Sequence, residues 1–218
     1  VTTVVSFKIN KDTLVLIPLI LMKRLFAAIK IQPDKAFLHQ FHEIQNRLQP
    51  ERIKWVEEYN IHITLKFFGE TEEGKIPEIV RLLEELSADI NVFSFSFQKL
   101  GVFGSAHDPR VVWVGIEPYA ELATLMKIIR DKMEVIGYES GRQNLVPHLT
   151  IGRIKFLRDK KLFQQIIDQN KGISSQEINV DRFILFESIL KKEGPVYLAL
   201  QTFQLRKEKN VTGLFFRR

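Results

Sequence analysis

The sequence predicts an α+β fold of two pseudo-symmetric lobes, each a mostly antiparallel sheet with outer helices, around a central cleft. Three observations predict it. Short strand-like runs are interleaved with helical patterns instead of forming separate blocks. The order strand, proline-initiated helix, strand occurs twice. In both copies the strand after the helix carries the same polar pair, His-x-Thr, within an otherwise apolar run.

The elements follow in order. Arg24–Ile31 (RLFAAIKI) reads as a strand. Pro33 stands where a helix begins, a position that tolerates its missing N–H. Phe37, Leu38, Phe41, Ile44 and Leu48 then recur at helical spacing until Pro50. Lys54–Val56 reads as a short strand, Ile61–Phe68 as a strand closed by Gly69, and Glu72–Leu86 as an amphipathic helix. Phe93, Phe95 and Phe97 alternate with Ser94 and Ser96 in Val92–Leu100, the period of a half-buried strand. Val111–Ile116 is a strand, Pro118 opens a helix that Gly137 ends, and Pro147–Lys155 is a strand. Lys160–Gln169 is helical, and Ile178–Ile189 and Val196–Leu205 are strands joined by a Lys191–Gly194 turn.

The repeat can be measured. Ile31-Gln32-Pro33 is followed by His62 29 residues after the proline, and Ile116-Glu117-Pro118 by His148 30 residues after it. Two such units predict two facing lobes, each giving one motif to the cleft between them. The expected organisation is an extension over residues 1–21, one domain of two interleaved lobes over 22–206, and a basic tail over 207–218. Thr13–Met22 (TLVLIPLILM) is too short to span a bilayer and is broken by Pro18. Because MKRLFAAIKI reads as an opening strand, Met22 is the expected natural start.

Composition narrows the function classes. With no Cys, disulfide frameworks, Cys-ligated zinc and Cys nucleophiles are excluded. A net charge of +6 suits a polyanionic partner such as RNA, and equally describes a solvated basic surface. No Gly-rich nucleotide loop and no G-x-S-x-G elbow occurs, which argues against a P-loop NTPase or an α/β-hydrolase.

The motifs are His62-Ile63-Thr64-Leu65 and His148-Leu149-Thr150-Ile151. Alternate residues of a strand share a face, so His62 and Thr64 point one way and Ile63 and Leu65 the other; the second motif repeats this. Cα atoms two residues apart lie roughly 6.5 Å from each other, close enough for an imidazole and a hydroxyl to address one phosphate. Opening a cyclic phosphate by in-line attack of water needs a base for the water and an acid for the departing ribose oxygen. Two histidines can do both near neutral pH. The two threonine hydroxyls can donate to non-bridging oxygens as charge builds there. The scheme calls for no metal ion and no cofactor. One His-x-Thr alone means little, but five His and nine Thr in 218 residues predict about 0.2 chance pairs, and two occur at matching points of a repeat.

At these residues the chain resembles the 2H phosphoesterase superfamily, and within it the LigT-like RNA 2′,3′-cyclic phosphodiesterases. The resemblance runs from Met22 to about Leu205. It is carried by KRLFAAIKI, by WVEEYNIHITLKFFGE (Trp55–Glu70), by FGSAHDPRVVWVGIEP (Phe103–Pro118) and by VPHLTIGRIK (Val146–Lys155). It implies the bilobal fold and hydrolysis of a terminal 2′,3′-cyclic phosphate to a 2′-phosphate. It further implies His62 as proton donor to the leaving oxygen, His148 as the acceptor that activates water, and Arg153 as a phosphate-binding residue. The symmetric repeat by itself leaves the donor and acceptor roles open. The same histidines would also serve a 2′–5′ RNA ligase running the chemistry backwards, and a third reading is an RNA-end or nucleotide-binding module without turnover. RNA ends or cyclic nucleotides are the expected partners of a monomeric, cytoplasmic protein without membrane association.

Lys66, beside the first motif, and Arg110, before the VVWV strand, are candidates for contact with substrate phosphate and equally plain surface charges. Trp113, Phe103 and Tyr59 are candidates for base stacking, although the apolar setting of Trp113 favours core packing. His39 and His42 read as an exposed helical face and His107 as a loop residue.

Overall fold

A computed structural model describes residues 4–10, 13–18, 21–105, 107–139 and 146–207. The tail expected over 207–218 lies outside the described residues apart from Lys207. Eleven strands and four α-helices are present among those described: β1 (Val4–Asn10), β2 (Thr13–Pro18), β3 (Met22–Lys30), α1 (Lys35–Arg47), β4 (Arg52–Trp55), β5 (His62–Glu72), α2 (Ile76–Ser87), β6 (Phe93–Gly104), β7 (Pro109–Glu117), α3 (Ala120–Val135), β8 (His148–Phe156), α4 (Lys160–Gln169), β9 (Ile178–Val180), β10 (Arg182–Leu190) and β11 (Pro195–Gln204). They form two large antiparallel sheets, ordered β11-β10-β3-β5 and β4-β8-β7-β6-β9, and a β1–β2 hairpin that joins neither.

Each large sheet carries one motif, on β5 and on β8, as the repeat predicts. The helices exchange partners. On α1, which follows a strand of the four-stranded sheet, Phe37 meets Phe97 of β6 and Phe41 meets Trp55 of β4, both in the five-stranded sheet. Conversely α3, which follows β7 of the five-stranded sheet, packs against β5 of the other. Buried residues from both sheets, among them Ile29 and Ile63 of one and Val114 and Leu149 of the other, therefore belong to one continuous core. A second, small apolar cluster of Phe26, Ala28 and Phe186 lies on the other face of the four-stranded sheet. Alternation along β3 separates the two: Leu25, Ala27 and Ile29 face the core while Phe26 and Ala28 face away from it.

Three sequence expectations need correction. The single strand expected over Ile178–Ile189 is two strands of different sheets, β9 pairing with β6 and β10 with β3, with Asp181 between them. At Asp181 the pairing with β6 ends and that with β11 begins: its carbonyl accepts from Leu205 N at 2.8 Å, next to the Arg182–Gln204 pair of the β10–β11 ladder. The strand expected to close at Gly69 continues to Glu72, because Gly69 adopts φ 74° within a β-bulge instead of ending the ladder. Helix α2 begins at Ile76, after a single 3₁₀ turn over Glu73–Lys75.

One long-range clamp ties the start of β4 to the start of α4. The buried Glu51 carboxylate accepts from Arg158 N at 2.5 Å and Asp159 N at 3.1 Å. Glu51→Ala would leave both amides without that acceptor, so a loss of about 1–3 kcal/mol is expected. Urea unfolding checks it: the midpoint falls with an unchanged slope, and Glu51→Gln, which keeps one acceptor oxygen, loses less.

Candidate active site

The two sheets enclose a cleft of about 920 Å³. His62, Thr64, His148, Thr150 and Arg153 all line it. Strand alternation places each His-Thr pair on the cleft face, while Ile63, Leu65, Leu149 and Ile151 are buried in the core.

The imidazoles are held in the same way. Nδ1 of His62 lies 2.6 Å from the Asn60 carbonyl and Nδ1 of His148 lies 2.8 Å from the Val146 carbonyl. A carbonyl only accepts, so Nδ1 carries the hydrogen in both rings. That leaves Nε2 of each ring toward the cleft, able to accept a proton when neutral and to donate one when charged. Aromatic side chains brace the rings. Phe26 and Tyr197 each lie 5.2 Å from His62 between ring centroids, the tyrosine edge-on at 82°. Phe103 meets His148 edge-on at 4.8 Å and is itself stacked on Trp113 at 5.0 Å.

Burial pushes both imidazoles below the ordinary histidine value, because a charged ring is poorly solvated in the cleft. The carbonyl hydrogen bonds oppose this shift, and the Arg153 guanidinium adds to it at both rings, joined by Lys30 at His62. The free cleft therefore holds two neutral imidazoles above about pH 6.5. A bound phosphate anion would draw both back up.

A matched pair of β-bulges decides which other predicted residues reach the cleft. In the β3–β5 ladder Ala28 faces Thr64 but Ala27 faces Lys66, so Leu65 is an extra residue. In the β7–β8 ladder Trp113 faces Thr150 but Val112 faces Gly152, so Ile151 is extra. Each bulge falls on the fourth residue of a motif and reverses the alternation after it. The residue five after each histidine, Phe67 in one lobe and Arg153 in the other, thus turns into the cleft. The same reversal turns Lys66, a candidate for substrate contact, away from the cleft. It is buried and lies outside the cleft lining, in the field of Glu134 and Arg130 of α3, where burial lowers its pKa. Arg110 is likewise not part of the lining; it is exposed and paired with Asp108 at 2.6 Å. Phe103 lines the cleft and Tyr59 does not. Trp113 is half-buried behind Phe103 on the cleft side of its sheet, not in the core. His39 and His42 stand near Glu43 and Glu58 on exposed surface.

Arg24, Phe26 and Tyr197 also line the cleft and were not singled out from the sequence. Tyr197 reaches His62 only because the four-stranded sheet curls, bringing β11 at one edge round to the loop before β5 at the other. There the buried Asn60 side chain donates to the Pro195 carbonyl at 3.0 Å. Period-two alternation in β3 was the one available signal for Arg24 and Phe26.

Comparison with known proteins bears on the family and the fold. The LigT like Phosphoesterase family model matches residues 31–113 and again residues 114–197, one match for each half of the repeat. A protein of Methanocaldococcus jannaschii named RNA 2′,3′-cyclic phosphodiesterase is 34% identical over 174 residues, 80% of this chain and 96% of its own. One of the same name from Thermotoga maritima is 38% identical over 152 residues, 69% of this chain and 78% of its own. The crystal structure of TT0787 of Thermus thermophilus superposes with a TM-score of 0.69 at 28% identity, covering 85% of this chain and all (100%) of that one. E. coli LigT complexed with 3′-AMP shares the fold, with a TM-score of 0.66 at 22% identity over 85% of this chain and 99% of that one. Matched in both halves of its repeat and akin over most of its length to such relatives, this chain belongs to the LigT-like branch of the 2H phosphoesterases.

Proposed function

We propose that the chain hydrolyses RNA 2′,3′-cyclic phosphate ends to 2′-phosphates by acid–base catalysis between two histidines, without metal or cofactor. The observation that carries this reading is the shared tether of the two rings: both Nδ1 atoms donate to backbone carbonyls, leaving both Nε2 atoms to one cleft. The names of the relatives support the choice of substrate.

The cyclic phosphate, a monoanion, sits between the rings. His148 Nε2 takes a proton from water as its oxygen attacks phosphorus. The P–O3′ bond breaks opposite the attack, and His62 Nε2–H delivers a proton to O3′. One bond to phosphorus forms and one breaks, and one proton enters and one leaves the pair of histidines. Thr64 and Thr150 donate to the non-bridging oxygens, and Arg153 offsets their charge. The donor and acceptor assignment follows the resemblance to the family.

The pH profile tests the scheme. Turnover requires one imidazole charged and one neutral. Both are pushed below about 6.5 in the free protein. The maximum of kcat/KM should therefore lie below pH 6.5, with activity falling as pH rises and the donor loses its proton. Arg153→Ala removes a cation that depresses both rings, so the maximum should move up in pH while KM rises. A maximum above pH 7.5 in the wild type, or an unmoved one in Arg153→Ala, would contradict the scheme.

A further inference from the structure

Beyond the motifs, a second group of polar side chains lines the same cleft in a row across three adjacent strands. Ser188 of β10 pairs directly with Tyr197 of β11. Leu25 of β3 pairs with Glu187 of β10, so the next step of that ladder sets Arg24 beside Ser188. Arg24 shares a face with Phe26, two residues on, and Ser188 shares one with Phe186. Arg24, Ser188 and Tyr197 all line the cleft. The row begins beside the proposed site, where the Tyr197 ring packs edge-on against His62 at 5.2 Å. Adjacent strands are about 4.8 Å apart, so it runs roughly 10 Å from Tyr197 to Arg24.

The chemistry of the row is unspent. Among the described residues Arg24 forms no ion pair, although Glu70 lies opposite it on β5. The nearest carboxylate of β10, that of Glu187, is instead taken by Lys23 at 3.1 Å. The Tyr197 and Ser188 hydroxyls have no protein hydrogen-bond partner among the described residues. Two guanidinium groups, Arg153 and Arg24, act on the Tyr197 phenol from within the cleft, against the burial that raises its pKa. An exposed, unpaired guanidinium with two free hydroxyls is the usual equipment for a nucleic-acid phosphate.

We infer that Arg24, Ser188 and Tyr197 bind the phosphodiester on the 5′ side of the terminal nucleotide, so that an RNA chain end is preferred over a lone nucleoside cyclic phosphate. This rests on the function proposed above, since it takes the reacting phosphate to lie between the histidines. Arg24 supplies the charge and the two hydroxyls orient the non-bridging oxygens. Tyr197 joins the two subsites, its ring against His62 and its hydroxyl toward the added phosphate.

Three substrates test it: adenosine 2′,3′-cyclic phosphate, the same compound bearing a 5′-phosphate, and the dinucleotide ApA ending in a 2′,3′-cyclic phosphate. In the wild type, kcat/KM for the second and third should exceed that for the first by at least about tenfold, the worth of one charge-assisted contact, and chiefly through KM. The readout is this ratio within each variant. It should fall to within about twofold of unity in Arg24→Ala and fall partway in Ser188→Ala and Tyr197→Phe, the latter keeping the ring against His62. A methylphosphonate link in the dinucleotide, which removes the charge, should cost the wild type its gain. A ratio near one in an active wild type, as when Arg24 prefers Glu70, overturns the inference and leaves the proposed function standing. So does a ratio that survives Arg24→Ala. No turnover of any of the three removes the proposed function and the inference with it.

Discussion

Alanine at His62 or at His148 is expected to lower kcat/KM on a nucleoside 2′,3′-cyclic phosphate by about 10² to 10⁴-fold, the range for loss of a positioned acid or base. Both rings lie at the cleft with Nδ1 engaged by the backbone, so neither can stand in for the other. The double variant should be little worse than the more damaged single one, because the two act on one transition state. A substrate with sulfur in place of O3′ separates their roles. Thiolate leaves without needing a proton, so the penalty of His62→Ala should largely disappear on it. His148→Ala should keep its full penalty, since water still needs a base. Rescue of His148→Ala instead would reverse the assignment, and rescue of neither would mean that proton transfer to the leaving group is not the task of either ring.

Gly101→Ala carries the second large effect, at a residue outside the lining of the cleft. Gly101 of β6 pairs with Trp113 of β7 and serves as the floor under its indole. A Cβ there would stand 2.2 Å from Cζ2 and 2.5 Å from Cε2 of Trp113. The indole must move, and nothing but shape holds it, since its N–H is buried without a hydrogen-bond partner among the described residues. Phe103 stacks on that indole and braces His148 edge-on, so the displacement is passed to the proposed base. The expected cost is about 1–3 kcal/mol of stability, the range for overpacking, together with a fall in kcat larger than the change in KM. Gly74→Ala is the control. A Cβ there meets nothing within 4 Å, and its effect should stay within about 0.5 kcal/mol. Equal midpoints and equal kcat for the two variants would show that Trp113 is not a fixed brace.

What the sequence could show was whatever depends on local period. The strand-helix-strand repeat and the shared face of His62 with Thr64, and of His148 with Thr150, follow from alternation and spacing, and the structure has both. Bulges break alternation without leaving a compositional mark. Strict period two puts Lys66 with His62 and turns Arg153 away from His148; the extra residues Leu65 and Ile151 reverse both. Arg153 is legible only through family resemblance, and Lys66 reads as a neighbour of the site because the bulge leaves no mark in the sequence. Tyr197 was out of reach for a different reason. Its approach to His62 depends on the curl of a whole sheet, closed by Asn60 on Pro195, two residues 135 positions apart. The change of sheet at Asp181 is of the same kind, since an apolar run reads alike whichever neighbour it pairs with.

The most direct test of the two-histidine account is a phosphorus NMR time course of a nucleoside 2′,3′-cyclic phosphate with EDTA-treated protein. The account predicts turnover without added metal and a single product, the 2′-phosphate, formed by cleavage of P–O3′. Accumulation of the 3′-phosphate, or activity that returns only when a divalent ion is added, would contradict it.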